Sequence, residues 1–459
     1  MKKVLYTVII IPLLVLTFIS CSKDDDLNVD LSGYNYDSFE KLPIDDYIFN
    51  NLTKPYNVEV VYRFDRSHTD VAKDISPPRI DQVQPAVDMV LDGFFRVYQN
   101  VAGAEFIKRY APKQFVLLGS HAYNSNGSVT LGTADGGRRV ALYDINNIDV
   151  TKPEDIKRRL RTIHHEFTHI INQLVDIPPT FRTVTTDYIA DWTKDNSDAV
   201  ALELGFVSPY SRSSFGEDFA ETVAHLLVEG QAFYDNRIAN SSDDGAAKLR
   251  QKEVIVHDYF KQFFNIDFKE LQYEMYLMLS TVYKDKSQTL YGLLEKGSVE
   301  NIAVDFINGT HYSLYGKSDK FDEVWEETKV GLAAYGNNGG RYPTEFKLVF
   351  TSAKKMQLQV TYKNLSNSTL SAYYDYDVKI ENDKISFTAI DDGSTETAYG
   401  NGRIIKNAIK PLLDYFVKNQ FSADWISTEI VGYANSLKYG QLKVVGDKTN
   451  YIYGPVVLK

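Results

Sequence analysis

The sequence contains a single cysteine, Cys21, among 459 residues. One cysteine can form neither an intrachain disulfide nor a thiolate metal site, so both are excluded as supports of the fold. Positive charge is not in excess either: the formal net charge is −11 at pH 7, which argues against a nucleic-acid-binding protein. Histidine is scarce, with eight residues. A local cluster of histidines is therefore informative.

An apolar run, VLYTVIIIPLLVLTFI, follows two lysines at the N-terminus and ends at Ser20-Cys21. This arrangement predicts a signal peptide over residues 1–20. The alternative is a transmembrane anchor, but the run is short for one and ends in a small residue and cysteine. The cysteine at the expected cleavage position resembles the lipobox of bacterial lipoproteins, although Phe18 stands where leucine is commoner. The resemblance implies that Cys21 carries a lipid.

Residues 21–44 continue as a tether that begins with the acidic stretch SKDDDLNVD. A run of charge usually forms a solvated segment. Directly after a lipid-bearing cysteine, however, such a cluster resembles the surface-export signal of Bacteroidota lipoproteins. It implies an outer-membrane lipoprotein that is exposed at the cell surface. No later hydrophobic run reaches spanning length.

The middle of the chain alternates between strand and helix patterns. Period-two apolar patterns predict strands at residues 57–64, 113–120 and 138–145. Helical periodicity predicts helices at residues 80–98, 153–175, 215–230, 245–264 and 267–284. We interpret residues 45–285 as one domain of mixed α+β structure.

The pattern changes after residue 285. We interpret residues 286–340 as a linker with a helical segment. Residues 341–459 alternate with period two and predict a small antiparallel β domain. One helix, residues 403–417, interrupts the strands, and Pro411 would kink or split it. The predicted fold class is α+β.

The most regular helical pattern is PEDIKRRLRTIHHEFTHIINQLV, residues 153–175. Pro153 suits the first helical position. Apolar residues recur with a four-three spacing and predict one buried stripe: Ile156, Leu160, Ile163, Phe167, Ile170 and Leu174. The following DIPPT ends the helix, because proline cannot continue it.

Within this helix His165, Glu166 and His169 form the motif HExxH. Residues four apart lie on one helical face, so both imidazoles can reach one metal ion. Zinc lowers the pKa of a bound water to about 7, and Glu166 is placed to take a proton from that water. The alternative is a chance occurrence, which the regular helix and the position of both histidines outside the apolar stripe disfavour.

Zinc needs a third protein ligand. The longer metzincin motif is excluded, because Asn172 and Val175 stand where it requires glycine and histidine. His164 points about 100° away from His165 around the helix. We therefore expect His164 to lie at the surface or to support a ligand.

The segment SPYSRSSFGEDFAETVAHLL, residues 208–227, opens another helix, with Glu217 and Glu221 one turn apart. A third ligand from a second helix is the gluzincin arrangement. The alternative is a capping box beginning at Ser214, in which Glu217 only caps the helix. His225 extends the same face, and we expect it to be structural.

Tyr210, seven residues before Glu217, and the following EDFAE resemble the site of the anthrax lethal-factor-like and Pro-Pro endopeptidase metallopeptidases. The fuller set, HHEFTHIINQ and GEDFAETVAH, is similar to zinc metallohydrolase lipoproteins of Bacteroidota. This resemblance covers about residues 45–285. It implies a zincin-like domain and an accessory role in an outer-membrane nutrient import system.

Residue by residue, the resemblance implies that His165, His169 and Glu217 hold one Zn²⁺. Glu166 would be the general base, and Tyr210 would donate a hydrogen bond to the developing oxyanion. Neighbouring carboxylates are expected to support these residues.

Two carboxylates are candidates for that supporting role, Glu221 and Asp218. Glu221 would orient a ligand histidine. Asp218 stands where the similar families hold a hydrophobic residue, which leaves the ligand positions unaffected. By analogy with zincins, the strand RRVALYDI before the active-site helix would form an edge along which an extended peptide pairs.

These observations predict a zinc-dependent endopeptidase that acts on peptides or proteins and is anchored to the membrane through its N-terminal lipid. A second hypothesis is a peptide- or glycan-binding lipoprotein of an outer-membrane importer that keeps the metal without turnover. The intact Glu166 argues against it. A third is a surface scaffold with structural zinc, but such sites have four protein ligands, and only three good ones are present.

Overall fold

A computed structural model describes residues 39–459, apart from residues 126, 136, 336–338 and 392. The predicted signal peptide and most of the predicted tether, including Cys21, lie outside the described residues. Among the residues described, none of the helices combines the length and the apolar character needed to cross a membrane. Tyr47–Lys459 form one compact unit.

The first part of this chain is dominated by helices. They are α1 (Pro43–Ile48), α2 (Lys54–Tyr56), α3 (Ile80–Val90), α4 (Val97–Tyr110), α5 (Pro153–Asn172), α6 (Pro179–Arg182), α7 (Asp198–Glu203), α8 (Phe215–Val228), α9 (Gly230–Ala239), α10 (Asp243–Phe264) and α11 (Phe268–Thr281). Two π-helical segments, Phe49–Thr53 and Leu91–Arg96, continue directly into α2 and α4. The strands are β1 (Glu59–Val61), β2 (Gln114–Leu117), β3 (Ala122–Tyr123), β4 (Val129–Thr130), β5 (Gly132–Asp135) and β6 (Arg139–Leu142).

Four of these strands form a sheet in the order β1-β2-β6-β5. The strands β1, β2 and β6 are parallel, and β5 pairs with β6 in the antiparallel direction. The prediction that RRVALYDI forms the edge was wrong, because β6 lies between β2 and β5. The hairpin that returns from β5 into β6 places β5 at the edge instead.

Helix α5 follows the sheet and carries the predicted apolar stripe. Five stripe residues are buried: Ile156, Leu160, Ile163, Phe167 and Ile170. The sixth, Leu174, is 64% exposed because the helix ends at Asn172, before the two prolines. The four-three spacing therefore predicted the buried face correctly, but the predicted helix extended beyond its observed end at Asn172.

His164 lies in the core, which corrects the expectation that it would be at the surface or would support a ligand. Its side chain is fully buried, and its Nε2 donates a hydrogen bond to the carbonyl of Gly93, 3.0 Å away. Gly93 belongs to the π-helical segment Leu91–Arg96. Such a segment interrupts the regular α-helical hydrogen bonding, and the imidazole supplies a donor to it.

The last part of the chain contains a closed antiparallel barrel. Its eight strands are β7 (Val299–Val304), β8 (Tyr342–Ser352), β9 (Lys355–Lys363), β10 (Thr369–Glu381), β11 (Lys384–Ile390), β12 (Gln420–Trp425), β13 (Tyr439–Val444) and β14 (Tyr451–Leu458). Helices accompany them: α12 (Leu290–Lys296), α13 (Thr310–Tyr315), α14 (Asp319–Ala334), α15 (Thr397–Ile405), α16 (Lys410–Lys418) and α17 (Thr428–Val431). The predicted antiparallel β domain and the α+β class are confirmed.

The details differ from the prediction at two places. Strand β7 lies within the expected linker, residues 286–340, yet it closes the barrel between β14 and β8. The single helix expected at 403–417 is two helices, α15 and α16. Pro411 stands in the first turn of α16, where its missing N–H costs no helical hydrogen bond.

The barrel interior is filled by its own side chains. Phe416 of α16 packs against Phe387 and Phe421, with ring centroids 5.7 and 6.1 Å apart. Trp325 of α14 is buried beside Phe346, 5.5 Å away. These helices pack into the same hydrophobic core as the strands, so the interior is a packed core rather than a ligand cavity.

Closure of the barrel depends on the close approach of β14 to β7 at Gly454. A β-carbon there would lie 1.7 Å from the carbonyl oxygen of Ala303 on β7. We predict that Gly454→Ala lowers the free energy of unfolding by about 1–3 kcal/mol, because the two strands must separate. Gly400→Ala is the control: it lies in α15 with no atom within 4 Å of its added methyl group, and it should stabilise slightly. Urea unfolding of both variants measures the difference, and equal midpoints would contradict the packing at β7.

Candidate metal centre

Two helices bring the predicted ligands together. His165 and His169 lie one turn apart on α5, and Glu217 lies in the first turn of α8. The Glu217 Oε2 atom is 2.9 Å from His165 Nε2 and 3.2 Å from His169 Nε2. The two Nε2 atoms are 3.1 Å apart. Among the described residues, these three form the group whose donor atoms could hold one metal ion.

This triangle fits zinc in donor type and size. Two imidazole nitrogens and one carboxylate oxygen are a common zinc-binding set. Ligands at about 2.0–2.1 Å in a tetrahedron are separated from one another by about 3.3 Å. The measured separations of 2.9–3.2 Å are close to that value. A cation could therefore be held with small side-chain movements.

The two roles that the sequence left open at Glu217 fall to different groups: Ser214 supplies the cap, and the Glu217 carboxylate faces the histidines. The hydroxyl of Ser214 accepts a hydrogen bond from the backbone N–H of Glu217, 3.3 Å away, which caps α8. The Glu217 side chain turns to the histidines. The cap fixes where α8 begins, and thereby directs the carboxylate toward the histidines.

His165 is held through both of its ring nitrogens. Its Nδ1 donates a hydrogen bond to Glu221 Oε1 at 2.9 Å, while its Nε2 faces Glu217. A carboxylate on the far nitrogen of a metal-binding histidine fixes the tautomer and the ring orientation. Glu221 therefore has the contact that we predicted for it.

Ser208 completes this arrangement, and no pattern in the sequence indicated its role. Its hydroxyl donates to Glu221 Oε2 at 2.6 Å and lies 3.0 Å from the hydroxyl of Ser211. Ser211 belongs to the 3₁₀ turn that carries Tyr210, and the N–H of Ser208, just before that turn, donates to the Ser211 hydroxyl. The carboxylate that orients His165 is thus fixed by the same turn that positions the tyrosine.

The electrostatics of the site favour a cation. Burial lowers the pKa of His165, but hydrogen bonds to Glu217 and Glu221 outweigh it and raise that pKa to about 10. Burial raises the pKa of Glu221, yet the charges of His225 and His165 and the Ser208 hydroxyl bring it down to about 2. Two ionised carboxylates around one imidazole attract positive charge, which a proton or a divalent metal ion can supply.

Glu166 lies beside the ligands and under the edge strand. Burial raises its pKa, and the nearby backbone N–H of Ala134 on β5 acts in the opposite direction. The strand and helix approach closely at Gly132, where a β-carbon would lie 2.4 Å from the Thr162 methyl group. This contact brings the amide of Ala134 to the carboxylate, an interaction that sequence spacing could not predict.

Tyr210 faces the same centre from a 3₁₀ turn, Tyr210–Ser213. Its ring centroid is 5.8 Å from that of His165. Burial raises the pKa of Tyr210, and the charge and hydrogen bonding of Glu217 raise it further. The phenol therefore stays protonated at neutral pH and can act as a hydrogen-bond donor.

Asp218 has partners other than the ones that we expected. It is fully buried and pairs with Lys252 at 2.6 Å. Its Oδ2 also accepts hydrogen bonds from Thr185 and Tyr188, at 3.1 and 3.0 Å. The expectation that Asp218 supports a metal ligand is corrected: one residue beyond Glu217, the helix turns its side chain toward α10 and the segment after α6.

His225 is structural in its contacts, as expected. It is nearly buried, its Nδ1 donates to the carbonyl of Glu221 at 2.9 Å, and its ring stacks on Phe233. Burial lowers its pKa, and the charge of Glu221 opposes that shift.

Two histidines and a glutamate from neighbouring helices, with a carboxylate beside them, are the features of a zinc metallopeptidase. The chain belongs to the family described as "Putative zinc-binding metallo-peptidase", whose model matches residues 37–269. A crystal structure from Bacteroides caccae ATCC 43185 with the same description is similar to this chain. It is 25% identical, covers 54% of this chain and 98% of its own, and has a TM-score of 0.46. No curated protein matches.

Removing the carboxylate of Glu217 should empty the site. We predict about one zinc per chain in the dialysed wild-type protein and nearly none in Glu217→Ala, because two imidazoles alone bind zinc weakly. Glu105→Ala, a change at an exposed glutamate, is the control and should keep its zinc. Elemental mass spectrometry gives the ratio, and full zinc retention in Glu217→Ala would assign the third ligand elsewhere.

The hydrogen bond from His165 to Glu221 should strengthen zinc binding without being required for it. We predict that Glu221→Gln weakens zinc binding by about 10–100-fold, since the amide is a poorer partner for the imidazole N–H. Ser208→Ala should have a smaller effect in the same direction. Competition with a chromogenic chelator measures both affinities, and a wild-type affinity in Glu221→Gln would contradict the assigned role.

Proposed function

We propose that this zinc-binding metallopeptidase is a zinc-dependent endopeptidase of the gluzincin type. The observation that carries the proposal is the convergence of His165, His169 and Glu217 on one point, with Glu166 beside it. The arrangement leaves a metal coordination position for water and substrate, as catalytic zinc sites do.

The residues around this point have complementary tasks in amide hydrolysis. When bound, zinc supplies Lewis acidity to the attacking water and to the substrate carbonyl. Glu166 takes the proton of that water and passes it to the leaving amine. The N–H of Ala134 near this carboxylate favours its ionised form, which is the form that accepts a proton.

Tyr210 is proposed to stabilise the charge that develops on the carbonyl oxygen. Its protonated phenol donates a hydrogen bond to that oxygen in the transition state. A single donor of this kind contributes about 3–4 kcal/mol in other enzymes. The proximity of its ring to that of His165 supports this role.

The edge of the sheet supports a peptide as the substrate. Strand β5 ends the order β1-β2-β6-β5, and a β-carbon on its Gly132 would lie 3.7 Å from Glu166 Cγ. An extended peptide can add to such an edge through main-chain hydrogen bonds. A scissile bond would then run past the metal-binding residues.

Replacement of the general base separates catalysis from binding. We predict that Glu166→Gln keeps one zinc per chain but loses hydrolysis of a peptide mixture by at least about 10²–10⁴-fold, because the amide cannot accept the proton. Peptide cleavage followed by mass spectrometry, together with metal analysis, measures both. Equal cleavage by the two proteins would exclude Glu166 as the base. No cleavage by zinc-loaded wild type would favour the peptide- or glycan-binding lipoprotein, our second candidate.

We also propose that the protein is an outer-membrane lipoprotein at the cell surface, where it works beside a nutrient importer. The lipobox-like Ser20-Cys21 and the acidic stretch after it support this. Cys21→Ala should release the protein from the membrane fraction, and protease added to intact cells should digest the wild type. An unchanged fractionation of Cys21→Ala would contradict the anchor.

A further inference from the structure

The segment between α6 and α7 carries a tryptophan that contacts Tyr210, the tyrosine beside the metal centre. Trp192 lies with its ring centroid 5.2 Å from that of Tyr210, at an interplanar angle of 70°. The Tyr210 ring is in turn 5.8 Å from His165. The ring of Tyr210 thus lies between the partly exposed Trp192 and the metal-binding His165.

One end of this segment is fixed to the turn that carries Tyr210. The buried Asn196 donates hydrogen bonds to the carbonyls of Trp192 and Pro209, at 3.0 and 2.8 Å. Arg212 donates to Asn196 Oδ1 at 3.2 Å. The backbone of Trp192 and the turn are therefore joined through one amide.

The other end is fixed just as firmly. Arg212 donates to the carbonyl of Asp187 at 2.9 Å, and its own carbonyl accepts from the N–H of Ile189 at 2.8 Å. Tyr188 donates to the buried Asp218, one residue after the metal-binding Glu217. The segment is thus joined to the turn that carries Tyr210 and to α8, which carries Glu217.

Trp192 differs in this respect from the other tryptophans. Trp325 is buried in the barrel core, and Trp425 donates its indole N–H to the carbonyl of Gln288. Trp192 instead stands between exposed neighbours, Asp191 and Thr193, and rests on Tyr210. Its position contributes an apolar surface beside the site.

We propose that Trp192 determines specificity: its indole forms an apolar wall that receives a large aliphatic or aromatic substrate side chain next to the scissile bond. The inference rests on the proposed peptidase function and names its substrate class. Burying an apolar substrate side chain against an aromatic ring stabilises the complex. Because hydrogen bonds already fix the backbone that carries the indole, substrate binding costs little ordering of the main chain.

Amino-acid hydroxamates test this without any turnover. They bind zinc through the hydroxamate group and differ only in side chain. The affinities of phenylalanine, leucine and glycine hydroxamates therefore measure the preference of the site for an apolar side chain. We expect the zinc-loaded wild type to bind the phenylalanine and leucine compounds roughly tenfold or more tightly than the glycine compound. In Trp192→Ala and Trp192→Gln this preference should fall below about threefold, with zinc content and glycine hydroxamate affinity unchanged.

Two further variants serve as references. Trp192→Phe keeps an aromatic face and should keep most of the preference. Lys194→Gln removes an exposed charge two residues away and should leave it intact. The same peptide mixture used for Glu166→Gln then shows whether the preferred cleavage sites shift in parallel.

An unchanged preference in Trp192→Ala and Trp192→Gln would overturn the proposal, as would a wild type that shows none. Loss of zinc in both variants would assign Trp192 a structural role and overturn it too. A wild type that discriminates among hydroxamates but cleaves no peptide would contradict the endopeptidase and leave the Trp192 pocket standing. The two failures are therefore distinguishable.

Discussion

The site depends on one imidazole that is held from both sides. His165 donates from Nδ1 to Glu221 and presents Nε2 to the point shared with His169 and Glu217. Ser208 in turn fixes Glu221. Because a fixed imidazole needs no reorientation to bind a metal ion, the protein has prearranged most of the coordination sphere. The neighbouring carboxylates add the negative charge that a divalent cation neutralises.

The first turn of α8 explains how a helix can serve both the site and the fold. Ser214 caps it, Glu217 faces the histidines, and Asp218 forms a buried pair with Lys252. Breaking such a buried pair by removing one partner typically costs about 3–5 kcal/mol. The pair also receives Tyr188 from the segment before α7. Metal binding and the position of the segment that carries Trp192 therefore share one structural support.

Sequence patterns predicted what is local and missed what depends on packing. The HExxH spacing and apolar stripe of α5 follow from helical periodicity, and so does the pairing of a capping serine with Glu217. By contrast, Ser208 reaches Glu221 only because a turn folds back, and Asp218 points away because a helix rotates by about 100° per residue. Strand β7 is short and far in sequence from its partner β14, so no local signal distinguished it from a linker. Periodicity also could not show that β5 takes the edge position.

The most direct test of the central claim is the coordination of zinc in the loaded protein, measured by X-ray absorption at the zinc K-edge. We predict about four nitrogen and oxygen ligands at roughly 2.0–2.2 Å, two of them imidazoles, with water completing the sphere. A sphere with only one imidazole, or a six-coordinate site made of oxygen ligands, would contradict a centre formed by His165, His169 and Glu217.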